Sequence, residues 1–341
     1  MKFGPVPLEA AEGRILGHNV AGPDGRRILR KGRPLSAADL ETLRALGRRT
    51  VYVAEPETDD VGEDEAARRV ATAVAGSGVE AGPASAGRVN LLARALGVLR
   101  VEVDRVTQLN LSEGVTLSTL PPDAPVRPKQ LVATVKVIPY ALPRATLASA
   151  EGAASNGLLR VDRIPARRVG LILSGSASAE ARIRRDFEGP LAARLGILGS
   201  ELARVDFVPL DDPSAAGEAV LADVLLRQVG RGADLILLAG ETAIVDRQDI
   251  APRAIERAGG RVEAFGAPVD PGNLLLLADL GGIPVVGAPG CARSRKVNVI
   301  DAVLPRLLAG ERLGRRDLAR LGAGGLLEDV PERPMPRSSE R

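Results

Sequence analysis

The sequence predicts an α/β protein: a three-layer domain built on a mainly parallel sheet over residues 166–312, preceded by a smaller α+β domain over residues 1–145. Three observations predict it. Apolar runs such as Val169-Gly170-Leu171-Ile172-Leu173 alternate with helical stretches, as strands buried on both faces should. The first 145 residues carry short β-like runs punctuated by prolines, which cannot donate within a central ladder. At 341 residues the chain exceeds one ordinary domain, so two are expected, each large enough to bury its own core.

The elements follow in order. Ser36 caps a helix whose Leu40, Leu43 and Leu46 share a face. Thr50-Val51-Tyr52-Val53, Gly97-Val98-Leu99-Arg100-Val101 and the run 130–138 read as strands, the last approached through prolines 121, 122, 125 and 128. Residues 146–165, rich in Ala, Gly and Ser, read as a linker or connecting helix. After the strand at Val169 comes a helix with Ile183, Phe187, Leu191 and Leu195 four apart, which Pro190 is expected to split and Gly196 to cap. Residues 203–209 form the second strand. Asp212 and Pro213 open a helix to Gly230, and residues 234–239 form the third strand. A helix over 250–258 stops at Gly259-Gly260, short strands cover 274–277 and 284–286, and a last helix spans 296–308. Residues 313–341, Arg-rich and then Pro-rich, read as a flexible tail.

Composition narrows the class. No apolar run approaches the length of a membrane span, and the N-terminus has no charged segment followed by an apolar stretch, so neither a membrane nor a secretory signal is expected. One cysteine, Cys291, excludes an internal disulfide and suits a reducing, cytoplasmic setting. The net charge of +3 comes from 46 basic residues scattered against 43 acidic ones, and aromatics are only 2%, so nucleic acid is not an expected partner. Phe187, Phe207 and Phe265 sit among apolar neighbours and are expected in cores. His18, the only histidine, lies near no nucleophile pattern, which argues against a triad or a His-rich metal site.

Ligands of open α/β sheets lie beyond the carboxyl ends of the strands. Three loops at such ends are small or polar: Ser174-Gly175-Ser176, Gly240-Glu241-Thr242, and Pro289-Gly290-Cys291-Ala292-Arg293-Ser294, followed by Lys296. Backbone N–H groups in such loops converge on an anion at helix N-termini, although tight turns explain a single loop equally well. Asp246 and Asp249, three apart beside the second loop, suit Mg²⁺, which takes one or two carboxylates plus phosphate oxygens. The alternative is that Asp249 caps the helix at Ile250 while Asp246 is solvated. Cys291 beside arginines suits a reactive thiolate, but a lone cysteine between Gly290 and Ala292 is more often a small packing residue.

The segment Leu238-Ala239-Gly240-Glu241-Thr242 through Asp246 and Asp249 resembles the Gly-Gly-Thr-Gly…Asp stretch of the molybdopterin-binding domain family, shared by molybdopterin adenylyltransferases and molybdenumtransferases. Pro268-Val269-Asp270-Pro271-Gly272-Asn273 looks like that family's Pro-Gly-Lys-Pro turn. Pro284-Val285-Val286-Gly287-Ala288-Pro289-Gly290-Cys291-Ala292 looks like its strand followed by Gly-x-Pro-Gly-Asn-Pro. The three occur in family order over about 150 residues, and their spelling is similar to a bacterial subgroup sometimes fused to a nucleotidyltransferase domain. The resemblance implies a molybdopterin phosphate on the three loops and on Pro271, Gly272 and Asn273. It implies Mg²⁺ at Asp246 and Asp249, which would then serve catalysis. ATP or molybdate would be the co-substrate, in molybdopterin nucleotidyl transfer or molybdate insertion. It also implies a homo-oligomer. A non-catalytic molybdopterin carrier serving a separate nucleotidyltransferase is the alternative. Two departures favour the carrier: Glu241 replaces a loop glycine, and Asn273 replaces the lysine of Pro-Gly-Lys-Pro.

Overall fold

The computed structural model describes residues 1–210 and 215–327. They divide into two compact units, one of residues 1–95 with 99–162 and one of 96–98 with the chain from Arg163 onward.

The first unit mixes small antiparallel sheets with short helices. Strands Lys2–Pro7, Thr50–Glu55 and Ile15–Leu16 pair antiparallel. They share a core with helix Ala37–Ala45, whose Leu40 and Leu43 are buried. Ser36 caps that helix as expected: the Asp39 N–H donates to its hydroxyl at 3.3 Å and the Ser36 N–H donates to Asp39 at 2.9 Å. A second core lies between a four-stranded antiparallel sheet and helices Glu63–Val74 and Arg144–Ala154. The stretch 146–165 is therefore helix and strand rather than linker. Leu147, Ala150 and Ala154 recur at helical spacing and are buried, Arg69 grips Glu151 with two hydrogen bonds at 2.8 and 2.5 Å, and strand Leu159–Arg163 follows. Small residues are here what lets two helices approach closely.

The second unit is built on one six-stranded sheet. Its elements are β1 (Arg168–Gly175), α1 (Glu180–Ile197), β2 (Glu201–Pro209), α2 (Ala215–Gly230), β3 (Leu235–Gly240), α3 (Ile250–Arg257), β4 (Arg261–Phe265), β5 (Leu276–Leu280), β6 (Ile283–Gly287), α4 (Val299–Leu308) and α5 (Arg315–Arg320). The strand order is β2-β1-β3-β6-β5-β4. The pairs β1–β2, β1–β3 and β3–β6 are parallel, while β5 pairs antiparallel with both β6 and β4. The two-residue alternation of a strand sorts its side chains between faces. Val169, Leu171 and Leu173 join Phe187 of α1 and Val303 of α4 in one core. Ile172 joins Leu225 of α2 and Ile255 of α3 in another, so helices cover both faces of the sheet.

Four sequence expectations change here. Pro190 does not split α1, which runs unbroken through it. Ile183, Phe187, Leu191 and Leu195 are all buried, and four such side chains at about 1.5–3 kcal/mol each outweigh the roughly 3 kcal/mol cost of an interior proline. The helix ends at Ile197 and its left-handed stop is Gly199 (φ +69°) rather than Gly196, with Ser200 N–H donating to Leu195 O at 2.9 Å and Gly199 N–H to Gly196 O at 3.1 Å. Strand β4 was not anticipated, although Val262 and Ala264 alternate inward. The expected tail begins with α5, whose Leu318 is buried, and Leu327 N–H donates to Asp270 O at 2.9 Å. The start proposed for α2 at Asp212-Pro213 and the rest of the tail, 328–341, lie outside the described residues.

Candidate functional site

Parallel pairing sets the three small-residue loops on one sheet edge. Ser174 is in register with Gly240 and Leu238 with Gly287; Glu241 N–H donates to Ser174 O at 2.8 Å and Ala288 N–H to Leu238 O at 2.7 Å. A cavity of 320 Å³ opens at this edge. Of the expected residues it brings together Ser174, Gly240, Thr242 and Asp249; Ala288 also lines it, whereas Asp246 and the Pro289–Ser294 loop do not. Sequence reasoning missed Glu218 and Arg253, which also line it and form an ion pair at 3.0 Å across α2 and α3. Neither carries a motif, and only the packing of two helices pairs them.

Glu241 does not face this cavity with an unbalanced charge. Its Oε2 accepts from both the N–H and the hydroxyl of Ser176, each at 2.9 Å, and its Oε1 accepts from Arg182 at 2.7 Å. The Ser176 N–H, then its hydroxyl, and Arg182 hold the Glu241 carboxyl below the usual glutamate range. The first loop is thereby corrected: the Ser176 N–H expected to meet a ligand anion is already bound to a carboxylate. Gly175 permits the approach, since a Cβ there would lie 2.6 Å from Ile183 Cδ1 and 2.8 Å from Glu241 Cβ.

Asp249 precedes α3 without capping it. Its Oδ2 reaches back to the Val245 and Asp246 N–H groups at 2.6 and 3.0 Å, while Asp246 Oδ1 accepts from Gln248 N–H at 2.7 Å. Each aspartate thus spends one oxygen on the loop, and the other oxygen has no hydrogen bond among the described residues. A hard cation held here would draw on these oxygens together with phosphate oxygens and water, and of the two residues Asp249 lines the cavity. Among the described residues there is no group of three or more His, Cys, Asp or Glu side chains placed to hold a metal by themselves.

The remaining expected residues form the support around α4. That helix starts at Val299, not Lys296, and its first N–H groups are satisfied within the protein: Val299 donates to Pro271 O at 3.1 Å and Ile300 to Asn298 Oδ1 at 3.0 Å. An anion contact at this helix start, expected from the sequence, is therefore closed off by Asn298, whose capping role its side chain dictates. Pro271 and Gly272 are buried in the turn against Val299; Asn273 is exposed, and its carbonyl accepts from Ala267 N–H at 3.0 Å. Gly290–Arg293 is a single 3₁₀ turn following Pro289. Ala292 is buried, Cys291 is half-buried with its carbonyl accepting from Asn298 Nδ2 at 3.3 Å, and Ser294 and Lys296 are exposed.

Two arginines organise this region. Arg293 does not stand at the mouth as an open charge: its guanidinium lies 4.9 Å from the Phe187 ring centroid and donates to Gly240 O at 3.3 Å, tying the third loop to the second. Its buried Nε has no partner among the described residues. Arg194 of α1, unremarkable in the sequence, is buried and donates to Asp301 Oδ1 at 3.0 Å and to Lys296 O at 2.9 Å.

Comparison with known proteins adds the following. Residues 5–55 match a family model described as "Domain of unknown function (DUF8806)". No curated protein sequence matches the chain. Among solved structures, a molybdenum cofactor biosynthesis protein from Pyrococcus furiosus is 15% identical with a TM-score of 0.25, the match covering 94% of this chain. This chain spans 65% of the length of that protein. A molybdopterin biosynthesis moea protein from Pyrococcus horikosii is 12% identical with a TM-score of 0.28, over 94% of this chain and 77% of its own. A molybdenum cofactor biosynthesis protein B is 16% identical with a TM-score of 0.27, over 44% of this chain and 89% of its own. No helix among the described residues is long and apolar enough to cross a membrane.

Proposed function

We propose that the second unit binds a phosphorylated pterin of the molybdopterin class and serves a step of molybdenum-cofactor biosynthesis. The observation that carries this reading is the convergence of the Ser174, Gly240 and Gly287 strand ends around one cavity, the place where open α/β sheets hold ligands. The motif resemblance from Leu238 to Ala292 supplies the ligand class. The Ser174 and Thr242 side chains would orient the phosphate end. Asp246 and Asp249 would hold Mg²⁺ through their second oxygens, and the metal would neutralise charge on phosphate. Transfer to or from a phosphate needs positioning and charge balance more than a protein nucleophile, and the residues here provide the former. Nucleotidyl transfer from ATP and molybdate insertion are the two reactions of this class.

One observation favours a second reading, a carrier that presents the pterin to a separate nucleotidyltransferase. Ser176 and Glu241 are bound to each other, so the first loop offers fewer donors to a reacting phosphate. Incubating the chain with molybdopterin, Mg²⁺ and ATP separates the two. Pyrophosphate release indicates a nucleotidyltransferase, stoichiometric pterin binding without turnover, also when molybdate and the adenylylated pterin are supplied, indicates a carrier, and no binding removes both.

A further inference from the structure

The first unit holds a cavity of 710 Å³, apart from the proposed pterin site. Rings are scarce in this chain: two tyrosines, four phenylalanines, one histidine and no tryptophan. Yet Phe3, His18 and Tyr140 line this one cavity. Phe3 meets His18 edge to face at 5.5 Å, and Tyr52 packs on both, 5.9 Å from Phe3 and 5.4 Å from His18. These rings are not core: Phe3 is 46% exposed, Tyr52 48%, and neighbouring Ile138 60%. The wall is also fixed in place, because the Tyr140 hydroxyl donates to Gly17 O at 2.7 Å.

Charge is sparse and specific. Lys31 and Glu113 both line the cavity; neither is in an ion pair among the described residues, although the Lys31 charge is felt by Glu63. An apolar, ring-lined pocket of this size with a few converging polar groups is the usual form of a small-molecule site, roughly 300–1,000 Å³. Rings left open to solvent favour a flat ligand that stacks on them. An ammonium outside any ion pair can take an anionic group, and a carboxylate outside any ion pair accepts N–H donors. We propose that this cavity binds a planar nitrogen heterocycle bearing an anionic substituent, stacked on one of the perpendicular Phe3 and His18 rings and edge-on to the other, with its anion at Lys31 and its N–H groups at Glu113. Such a site gives the first unit a ligand of its own, independent of the pterin reading.

Two dyes test it on the full chain: 8-anilinonaphthalene-1-sulfonate, an aromatic anion with a flat naphthalene face, and its uncharged analogue N-phenyl-1-naphthylamine. Both should bind saturably at one equivalent. Phe3→Ala and His18→Ala should each weaken both dyes about fivefold or more, as lost ring contacts do. Lys31→Ala should weaken the sulfonate about fivefold and leave the neutral dye unchanged, since only the anion meets the ammonium. Lys31 is exposed, so its variant keeps the test decisive if Phe3→Ala fails to fold. Non-saturable binding, indifference to the ring substitutions, or equal effects of Lys31→Ala on both dyes overturns the proposal.

Discussion

Glu241 and Ser176 are locked together: one carboxylate oxygen accepts both the N–H and the hydroxyl of the serine at 2.9 Å, joining the loops after β1 and β3. The glutamate that replaces a loop glycine in the motif is thus a clasp between neighbouring strand ends, and Arg182 balances its charge.

The clasp predicts a pH dependence. Glu241 has its carboxyl held below the ordinary glutamate value, so its stabilising contribution is fully present above that value and is lost as pH falls through the lowered one. Melting temperature should therefore drop more steeply in acid for the natural protein than for Glu241→Gln, with the curves converging at the lowest pH. Parallel curves would show that the carboxylate charge contributes nothing.

Arg194 predicts a large packing effect. Its side chain is buried, and removing it takes the guanidinium donors from Asp301 and from the Lys296 carbonyl, leaving each only its bond from Asn298. Arg194→Met should cost about 2–4 kcal/mol in urea unfolding. Asp301→Asn should cost less, because an amide oxygen still accepts from the guanidinium. Equal small losses would mean the pair is replaceable.

The two aspartates should behave differently. Asp249 holds two loop N–H groups and Asp246 one. Asp249→Ala should lower stability by about 1–2 kcal/mol, near the worth of those bonds. Asp246→Asn should leave stability nearly unchanged and weaken Mg²⁺-dependent ligand binding in calorimetric titration. A lowered melting temperature with unchanged affinity would assign Asp246 to the loop alone.

Arg293 and Lys296 separate strut from open charge. Arg293→Ala should destabilise by about 1–2 kcal/mol at any ionic strength, because its cation sits on Phe187 and its N–H on Gly240. Lys296→Ala should leave stability alone and weaken anion binding at low salt only. Cys291→Ser should change affinity less than threefold, under about 1 kcal/mol, because the loop is held through its backbone carbonyl.

Much of the second unit was legible in the sequence because its strands are continuous apolar runs, and β1 and β3 stand where those runs fall. The loop positions followed, since a strand end and a glycine are local facts. What was not legible is long-range pairing. Nothing near Arg194 signals Asp301, 107 residues away, and nothing near Ser176 signals Glu241, 65 away. The last helix, expected from Lys296, starts at Val299, because Asn298 with Asp301 forms the cap. Pro190 misled for the opposite reason: a local rule was overridden by burial of a whole stripe.

The central claim, a phosphorylated pterin on the second unit, is tested most directly by native mass spectrometry. The full chain would be purified from a host that makes molybdenum cofactor and from an otherwise identical host blocked in pterin synthesis. A bound species with the mass of a phosphorylated pterin, present from the first host and missing from the second, is the predicted result. Identical spectra from the two hosts, or a bound molecule of another chemical class, would contradict it.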